Sequence, residues 1–411
     1  MKKLYHRWQT ECLIKALEAR RVLLLNGPRQ CGKTTLTKQL VNSHTSYRTL
    51  DDIALRKLAE NDPSGFVKHR GKTLIIDEIQ RVPALLSAIK MVVDEETRPG
   101  QYLLTGSANI QSLPGTQESL AGRISKIRLR PLSQGELAGS KPAFLQKAFK
   151  QSFIEIGKEF YDREALLKIA FRGGFPEAIA LKEKERSKWH RDYIDALLDC
   201  DLKDIANITR QSVMRDLVKV LAAWSGKFMD ISAIGTGLSV RRATLETYIN
   251  ALETLYIIER LPPWTQTDYA RIGKQHKLFI ADCGLMASIL HWHREQVELD
   301  SDRSGKLLET FVFTELAANI DASGGEYTLY HYRDREQREI DFIIEREDHA
   351  LLGIEVKAGS AISMNDFKHL KWFRDNIAKK RPFIGVVLYT GTLSGSMGKN
   401  LWAVPFGTLW V

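Results

Sequence analysis

The spacing of apolar positions changes twice along the chain. Up to residue 135, short unbroken apolar runs stand at intervals, in RVLLLNG, KTLIIDE and QYLLTGS. Runs of that length without alternation are strands buried on both faces, and GKTTLTKQLV after the first has helical character. The pattern predicts a parallel sheet with helices on both faces. From 136 to 298 the spacing is helical, in REALLKIAFRG, WHRDYIDALLDCDLKDI and MRDLVKVLAAWSG. From 299 to 411 it alternates again: a helix KLLETFVFTELAANI, strands EYTLYHYR, REIDFIIER and LLGIEVKAG, a helix MNDFKHLKWFRDNI and a strand RPFIGVVLYT. That last order is αβββαβ. The glycine-proline segment FRGGFPEA reads as a structural corner.

A chain of 411 residues is too long for one ordinary core, so three units at these boundaries are expected. No apolar run approaches the roughly 18 residues that span a bilayer, and no membrane partner is expected. MKKLYHRWQTECL starts basic but has no apolar stretch of a secretory leader. Cys12, Cys31, Cys200 and Cys283 lack CxxC spacing. Neither a zinc site nor a disulfide framework is expected, and reduced thiols fit a cytoplasmic protein. Lys and Arg number 60 against 50 Asp and Glu, a formal charge of +10 that suits a nucleic-acid partner only if other features agree.

The first strand runs into GPRQCGKT, Gly27 to Thr34, the phosphate-binding loop of an ATP site. Gly27 and Gly32 leave the backbone N–H groups free to wrap phosphates, with Pro28, Arg29, Gln30 and Cys31 between them. Lys33 reaches the β- and γ-phosphates, Thr34 offers its hydroxyl to Mg²⁺, and Thr35 continues the helix whose N-terminus favours anions. Asp77, after the apolar run LII, is placed to hold Mg²⁺ through water, and Glu78 beside it to polarise the attacking water. Thr105, Ser107 and Asn109 end the third strand, and spacing alone does not choose the one that senses the γ-phosphate. Arg123 in SLAGRISKIRL is a candidate arginine finger, with an ordinary helix-end arginine as the alternative.

GPRQCGKTTL, LIIDEIQ, LLTGSAN, SLAGR and PLSQGEL occur in that order. Together they resemble the prokaryotic AAA-type ATPase family whose loop reads GPRQxGKT. FRGGFPEA, KLFIADCGL, LLETFVFTEL and EIDFII…IEVK resemble the uncharacterised C-terminal domain usually fused to it. The resemblance implies that Ser107 or Asn109 is a sensor and that Arg123 acts on a neighbouring subunit, which would require a homo-oligomer. Cys31 departs from the small aliphatic residue common there. It is expected to point outward from the loop and to make the site thiol-sensitive.

Two further constellations stand downstream. Asp341 in REIDFIIE, with Glu355 and Lys357 on one face of the strand GIEVKAG, can meet on adjacent antiparallel strands. Glu309 on the preceding helix completes an acidic set able to hold Mg²⁺. With the αβββαβ order, this resembles the PD-(D/E)XK nucleases. The resemblance implies metal binding by Asp341 and Glu355 and assistance from Lys357, with Ile340 replacing the usual Pro. The alternative is a degenerate fold with a structural Glu355–Lys357 pair.

In the middle, FMDISAIGTGLSVRRATLETYINALETLYIIERL reads as helix, glycine turn, helix and strand. With YIIERLPP and HKLFIAD as wing strands, it outlines a winged helix-turn-helix. Arg241, Arg242, Thr244, Thr247 and Tyr248 would face DNA, and Leu245, Ile249, Leu252 and Leu255 would be core. The fold class expected is α/β: a P-loop AAA-like sheet, a helical middle with the winged helix, and a nuclease-like C-terminal unit. The function expected is an ATPase acting on DNA, and the alternative a signalling or scaffold switch whose C-terminal domain binds protein.

Overall fold

The computed structural model describes residues 4–107, 122–153, 161–202, 211–267 and 274–410. After helix α1 (Gln9–Ala19), five strands form the N-terminal sheet: β1 (Val22–Asn26), β2 (Thr45–Thr49), β3 (Thr73–Asp77), β4 (Tyr102–Gly106) and β5 (Ile124–Arg128). All pairings are parallel, in the order β2-β3-β4-β1-β5. The three central strands are wholly buried and are the three that the apolar runs predict. The edge strands TSYRT and ISKIR are half-exposed and carry too few apolar side chains to register as runs. Between the strands lie α2 (Lys33–Gln39), α3 (Ile53–Asn61), α4 (Pro63–Val67) and α5 (Ala84–Glu95). Separate apolar clusters cover the two faces, one around Leu24, Ile76 and Leu104 and the other around Leu25, Ile75 and Leu103. Parallel pairing brings Asn26, Asp77 and Gly106 to one sheet edge, where the site is built.

The chain continues through α6 (Gln134–Ala138), α7 (Phe144–Phe149), α8 (Arg163–Arg172), α9 (Glu183–Ala196) and α10 (Gln211–Ala223). Short helix α11 (Ile231–Gly235) is capped by Asp230, which accepts from Ser232 and Ala233 N–H. A turn leads to α12 (Arg242–Thr254). β7 (Ile258–Leu261) and β8 (Lys277–Ile280), the expected wing strands, pair antiparallel, with the two-residue β6 (Lys227–Phe228) on the other side of β8.

Next come α13 (Cys283–Ile289), α14 (Arg294–Leu299) and the long α15 (Ser301–Ala322). β9 (Tyr327–Arg333), β10 (Glu339–Arg346) and β11 (Leu351–Lys357) form an antiparallel meander. α16 (Lys368–Phe373) crosses to β12 (Phe383–Tyr389), which lies parallel to β11. The expected αβββαβ order is followed by two further strands, β13 (Gly395–Ser396) and β14 (Leu401–Pro405). One continuous apolar core runs from Phe144 to Trp410, so the helical and C-terminal segments share their interior.

The FRGGFPEA corner is where three segments meet. Leu132 N–H donates to Gly174 O at 2.7 Å, and Gly174 N–H donates to Asp282 Oδ2 at 2.7 Å. Gly173 has φ +65, and a Cβ there would lie 2.4 Å from Asp282 Oδ1. Among the described residues, no helix is long and apolar enough to cross a membrane.

Candidate functional site

β1 ends at the sheet edge, and the chain turns at Gly27 with φ +150. A Cβ on Gly27 would lie 2.1 Å from Leu129 O, so only glycine fits between the loop and the segment after β5. Gly32, with φ +106, makes the left-handed entry to α2. Lys33, the first residue of α2, is buried and donates to Gly27 O at 2.9 Å and Pro28 O at 2.8 Å. These acceptors are neutral, and a phosphate is the stronger partner for an ammonium. Arg29 O accepts from Tyr193 OH at 3.3 Å, Gln30 takes φ +60, and Thr35 is exposed. Cys31 does not point outward. Its side chain is fully buried against Leu25 and Leu36, because the loop wraps it under the backbone, so thiol sensitivity at this position is not supported.

Thr34 Oγ1 donates to Asp77 Oδ2 at 2.9 Å. Two donors beyond the phosphate loop also hold Asp77. Tyr47 OH on β2 donates to Oδ2 at 2.9 Å, and Thr105 Oγ1 on β4 donates to Oδ1. Burial and then the Asp77 carboxylate push the Tyr47 phenol up, so it stays a donor. Of the described candidates closing β4, Thr105 is the one that joins the two acidic residues, because it also accepts from Glu78 N–H at 3.0 Å. Glu78 sits in the left-handed region at φ +60. Its carboxylate accepts from Gln80 Nε2 and from Ser107 Oγ, the latter at 3.3 Å. Asn109 lies outside the described residues. The donor set fits a triphosphate with Mg²⁺: a buried ammonium, a loop that excludes Cβ atoms, a helix N-terminus and an Asp–Thr pair.

Arg123 is not placed for action on its own loop. Ile124 pairs with Val22, at the opposite end of β1 from Gly27. Four residue steps of strand lead from Ile124 to Arg128, about 13 Å. There Arg123 forms an ion pair with Asp94 of α5, Nη2 to Oδ2 at 3.1 Å.

Arg7 belongs to no motif and was not legible in the sequence. It is buried, donates to Cys31 O at 2.7 Å and Arg130 O at 2.6 Å, and pairs with Glu136 at 2.9 Å. The Arg130 guanidinium reaches Glu259 of β7 at 2.5 Å and Asp321 of α15 at 2.6 Å. Arg128 donates to both Glu259 oxygens, at 2.9 and 2.7 Å. Burial opposes the charge on Glu259, but the two guanidiniums outweigh it and hold the carboxyl below its ordinary range.

In the C-terminal unit, Glu309, Glu339 and Asp341 converge on an ammonium rather than on an open cavity. Lys277 of β8, 1 % exposed, lies 2.6 Å from Glu309 Oε1, 2.9 Å from Glu339 Oε1 and 3.4 Å from Asp341 Oδ1. Burial opposes its charge, but Glu309, Asp341 and Glu339 hold the amine well above its ordinary range. Asp341 Oδ2 also accepts from Val356 N–H at 2.9 Å. Glu355 is buried, and burial with the nearby Asp341 pushes its carboxyl well up. Lys357 faces Asp366 at 3.8 Å. The set expected from Glu309, Asp341 and Glu355 is therefore not open to a metal ion, because Lys277 sits between Glu309 and Asp341. Among the described residues, no group of three or more His, Cys, Asp or Glu side chains is arranged to hold a metal ion. Lys277 lies far from the D…ExK spacing, which gave no signal of it.

Arg241, which precedes α12, and Arg242 and Thr247 on it are exposed, and Thr244 is half-buried. Arg242 pairs with Glu246 at 2.9 Å. Tyr248 is 5 % exposed and belongs to the core with Leu245, Ile249 and Leu252, since it is three residues past Leu245 on the same helix face. It is removed from the DNA-facing set.

Residues 19–138 match a family model described as an AAA domain. Residues 163–296 and 304–409 match models of two domains of unknown function. Uncharacterized proteins of Mycobacterium bovis and Mycobacterium tuberculosis are each 28% identical over 361 residues, spanning 86% of this chain and 74% of theirs. Similar solved structures include a RuvB variant of Thermotoga maritima, 19% identical over 62% of this chain and 88% of that one, with TM-score 0.27. A signal transduction ATPase with a tetratricopeptide repeat sensor from Pyrococcus horikoshii is 13% identical over 79% of this chain and 48% of that one, with TM-score 0.25. The phosphate loop, the Asp77–Glu78 pair and the AAA match over the same residues identify the N-terminal part of this chain as an AAA-type P-loop ATPase domain.

Proposed function

We propose that the chain is an ATP-hydrolysing switch whose nucleotide state alters DNA engagement by a winged helix formed from α11, α12, β7 and β8. The observation that supports this reading is the buried bridge from the phosphate loop. Arg7 joins Cys31 O to Arg130 O, and Arg130 joins Glu259 of the wing hairpin to Asp321 of α15. A shift of the loop backbone on nucleotide binding has a short polar route to both downstream parts. In the ATP site, Lys33 binds phosphate oxygens, Asp77 and Thr34 hold the cation, and Glu78 orients water. Bound Mg²⁺ neutralises charge on the phosphates. Release of Glu78 from Gln80 and Ser107 frees its carboxylate for that task. Arg123, paired with Asp94 on the sheet edge away from its own loop, is assigned to a neighbouring subunit in a homo-oligomer.

Fluorescence anisotropy with duplex, single-stranded and branched DNA tests the proposal. Binding is expected to weaken with salt, to differ between ATP and ADP states, and to fall in Arg241→Glu/Arg242→Glu. No binding at low salt to any of the three overturns the DNA reading. It would leave the second reading, an ATP-dependent scaffold whose C-terminal unit binds protein, which the closed carboxylate cluster around Lys277 favours.

A further inference from the structure

The carboxylates of the C-terminal unit come from two elements of that unit, Glu309 from α15, Glu339 and Asp341 from β10. The cation they surround comes from outside it, on β8 of the preceding hairpin. A nuclease-like fold implies a divalent ion at this cluster, but the residues do not fit one. A lysine ammonium with three carboxylate oxygens within 3.4 Å takes the charge and the space that a metal ion needs. Asp341 has its other oxygen committed to Val356 N–H.

Lys277 is fixed in place by more than its ion pairs. Its backbone pairs with Phe228 on one side and Leu261 on the other, so it sits in the middle strand of a three-stranded sheet. The Phe228 ring lies 5.7 Å from its Nζ. The segment after β7 is bonded to β9 of the C-terminal sheet: Trp264 N–H donates to His331 O at 2.6 Å, and His331 N–H donates to Pro262 O at 3.0 Å. Trp264 Nε1 adds a bond to Glu345 at 3.0 Å. The hairpin is thus seated on the sheet, and the ammonium is delivered with it.

We propose that Lys277 is a tethered counter-cation that stands in for a divalent metal at Glu309, Glu339 and Asp341, making the C-terminal unit a binding module without metal-dependent phosphodiester cleavage. The assignment gives the acidic residues a structural task. They anchor the hairpin that carries α12 to the C-terminal sheet. It does not depend on what α12 binds.

Manganese titration followed by electron paramagnetic resonance tests it, on nucleotide-free full chain carrying Asp77→Asn to silence the ATP-site cation. With Lys277 present, no Mn²⁺ is expected to bind at the cluster. Lys277→Gln is expected to gain one Mn²⁺ per chain, to lose it again with Asp341→Asn, and to melt at higher temperature when Mn²⁺ is added. A folded Lys277→Gln protein that takes up no Mn²⁺ overturns the proposal. If that variant does not fold, the Lys277-containing protein decides alone. Mn²⁺ uptake or DNA cleavage that disappears in Asp341→Asn overturns the proposal, and the absence of both supports it.

Discussion

Arg130 Nε stands 2.6 Å from Asp321 Oδ2, so a residue two positions past the ATPase sheet is bonded to the last turn of α15. The same guanidinium holds Glu259, and the two carboxylates are partly buried, 12% and 22% exposed. Removing the charge takes the ion-pair partner from Asp321 and one of two from Glu259. Arg130→Met is expected to lower stability by about 3 kcal/mol, the lower end for breaking a buried pair, because Arg128 still reaches Glu259. Urea denaturation measures it, and an unchanged midpoint would show that the network carries no stability.

Glu78 is the residue assigned to the attacking water. Glu78→Gln is expected to cut ATP turnover by about 10²–10⁴-fold while leaving ATP affinity near its original value. Phosphate release and calorimetric titration separate the two quantities. Equal loss of affinity and turnover would assign Glu78 to nucleotide binding instead.

Gly27 has no room for a side chain, with Leu129 O 2.1 Å from the place of its Cβ and φ at +150. Gly27→Ala is expected to cost about 1–3 kcal/mol of stability and to weaken nucleotide binding. Gly122, where a Cβ meets nothing within 4 Å, serves as the control, although its φ of +75 carries strain of its own. A Gly27→Ala protein that binds ATP normally would show that the loop moves away from Leu129.

Glu315 on α15 accepts from Gln134 N–H at 2.9 Å, and burial pushes its carboxyl up to about 8 from 4.5. Its folded value lies above its unfolded one, so the folded chain takes up a proton that the unfolded chain lacks between about 4.5 and about 8. The stability it contributes is full below that window and is lost as pH rises through it. Glu315→Gln is expected to remove this decline, so that the variant gains on the native protein as pH increases. Parallel melting curves from pH 5 to pH 8 check it. Two curves with the same slope would exclude a titrating Glu315.

What was legible in the sequence was local. GPRQCGKT and LIIDE carry their geometry in adjacent residues, and the three buried strands announce themselves as apolar runs. The edge strands β2 and β5 did not, because half their side chains meet water. Tyr47, Arg7 and Lys277 were missed for another reason. Each acts on a partner distant in sequence, Arg7 on Glu136 for example, and no spacing rule connects them. Tyr248 has the residue type of a DNA contact, but the helix period puts its ring inward with Leu245 and Leu252.

The core that runs unbroken from Phe144 to Trp410 sets a limit on how this molecule can be divided. A cut near residue 298 would pass between Ile289 and Leu308, which share that interior. Neither fragment would keep its apolar face covered, so the helical and C-terminal segments are made and cleared as one cassette. The ATPase sheet packs on two clusters of its own, and a replacement for it would have to keep Arg128 and Arg130, which tie it to Glu259 and Asp321.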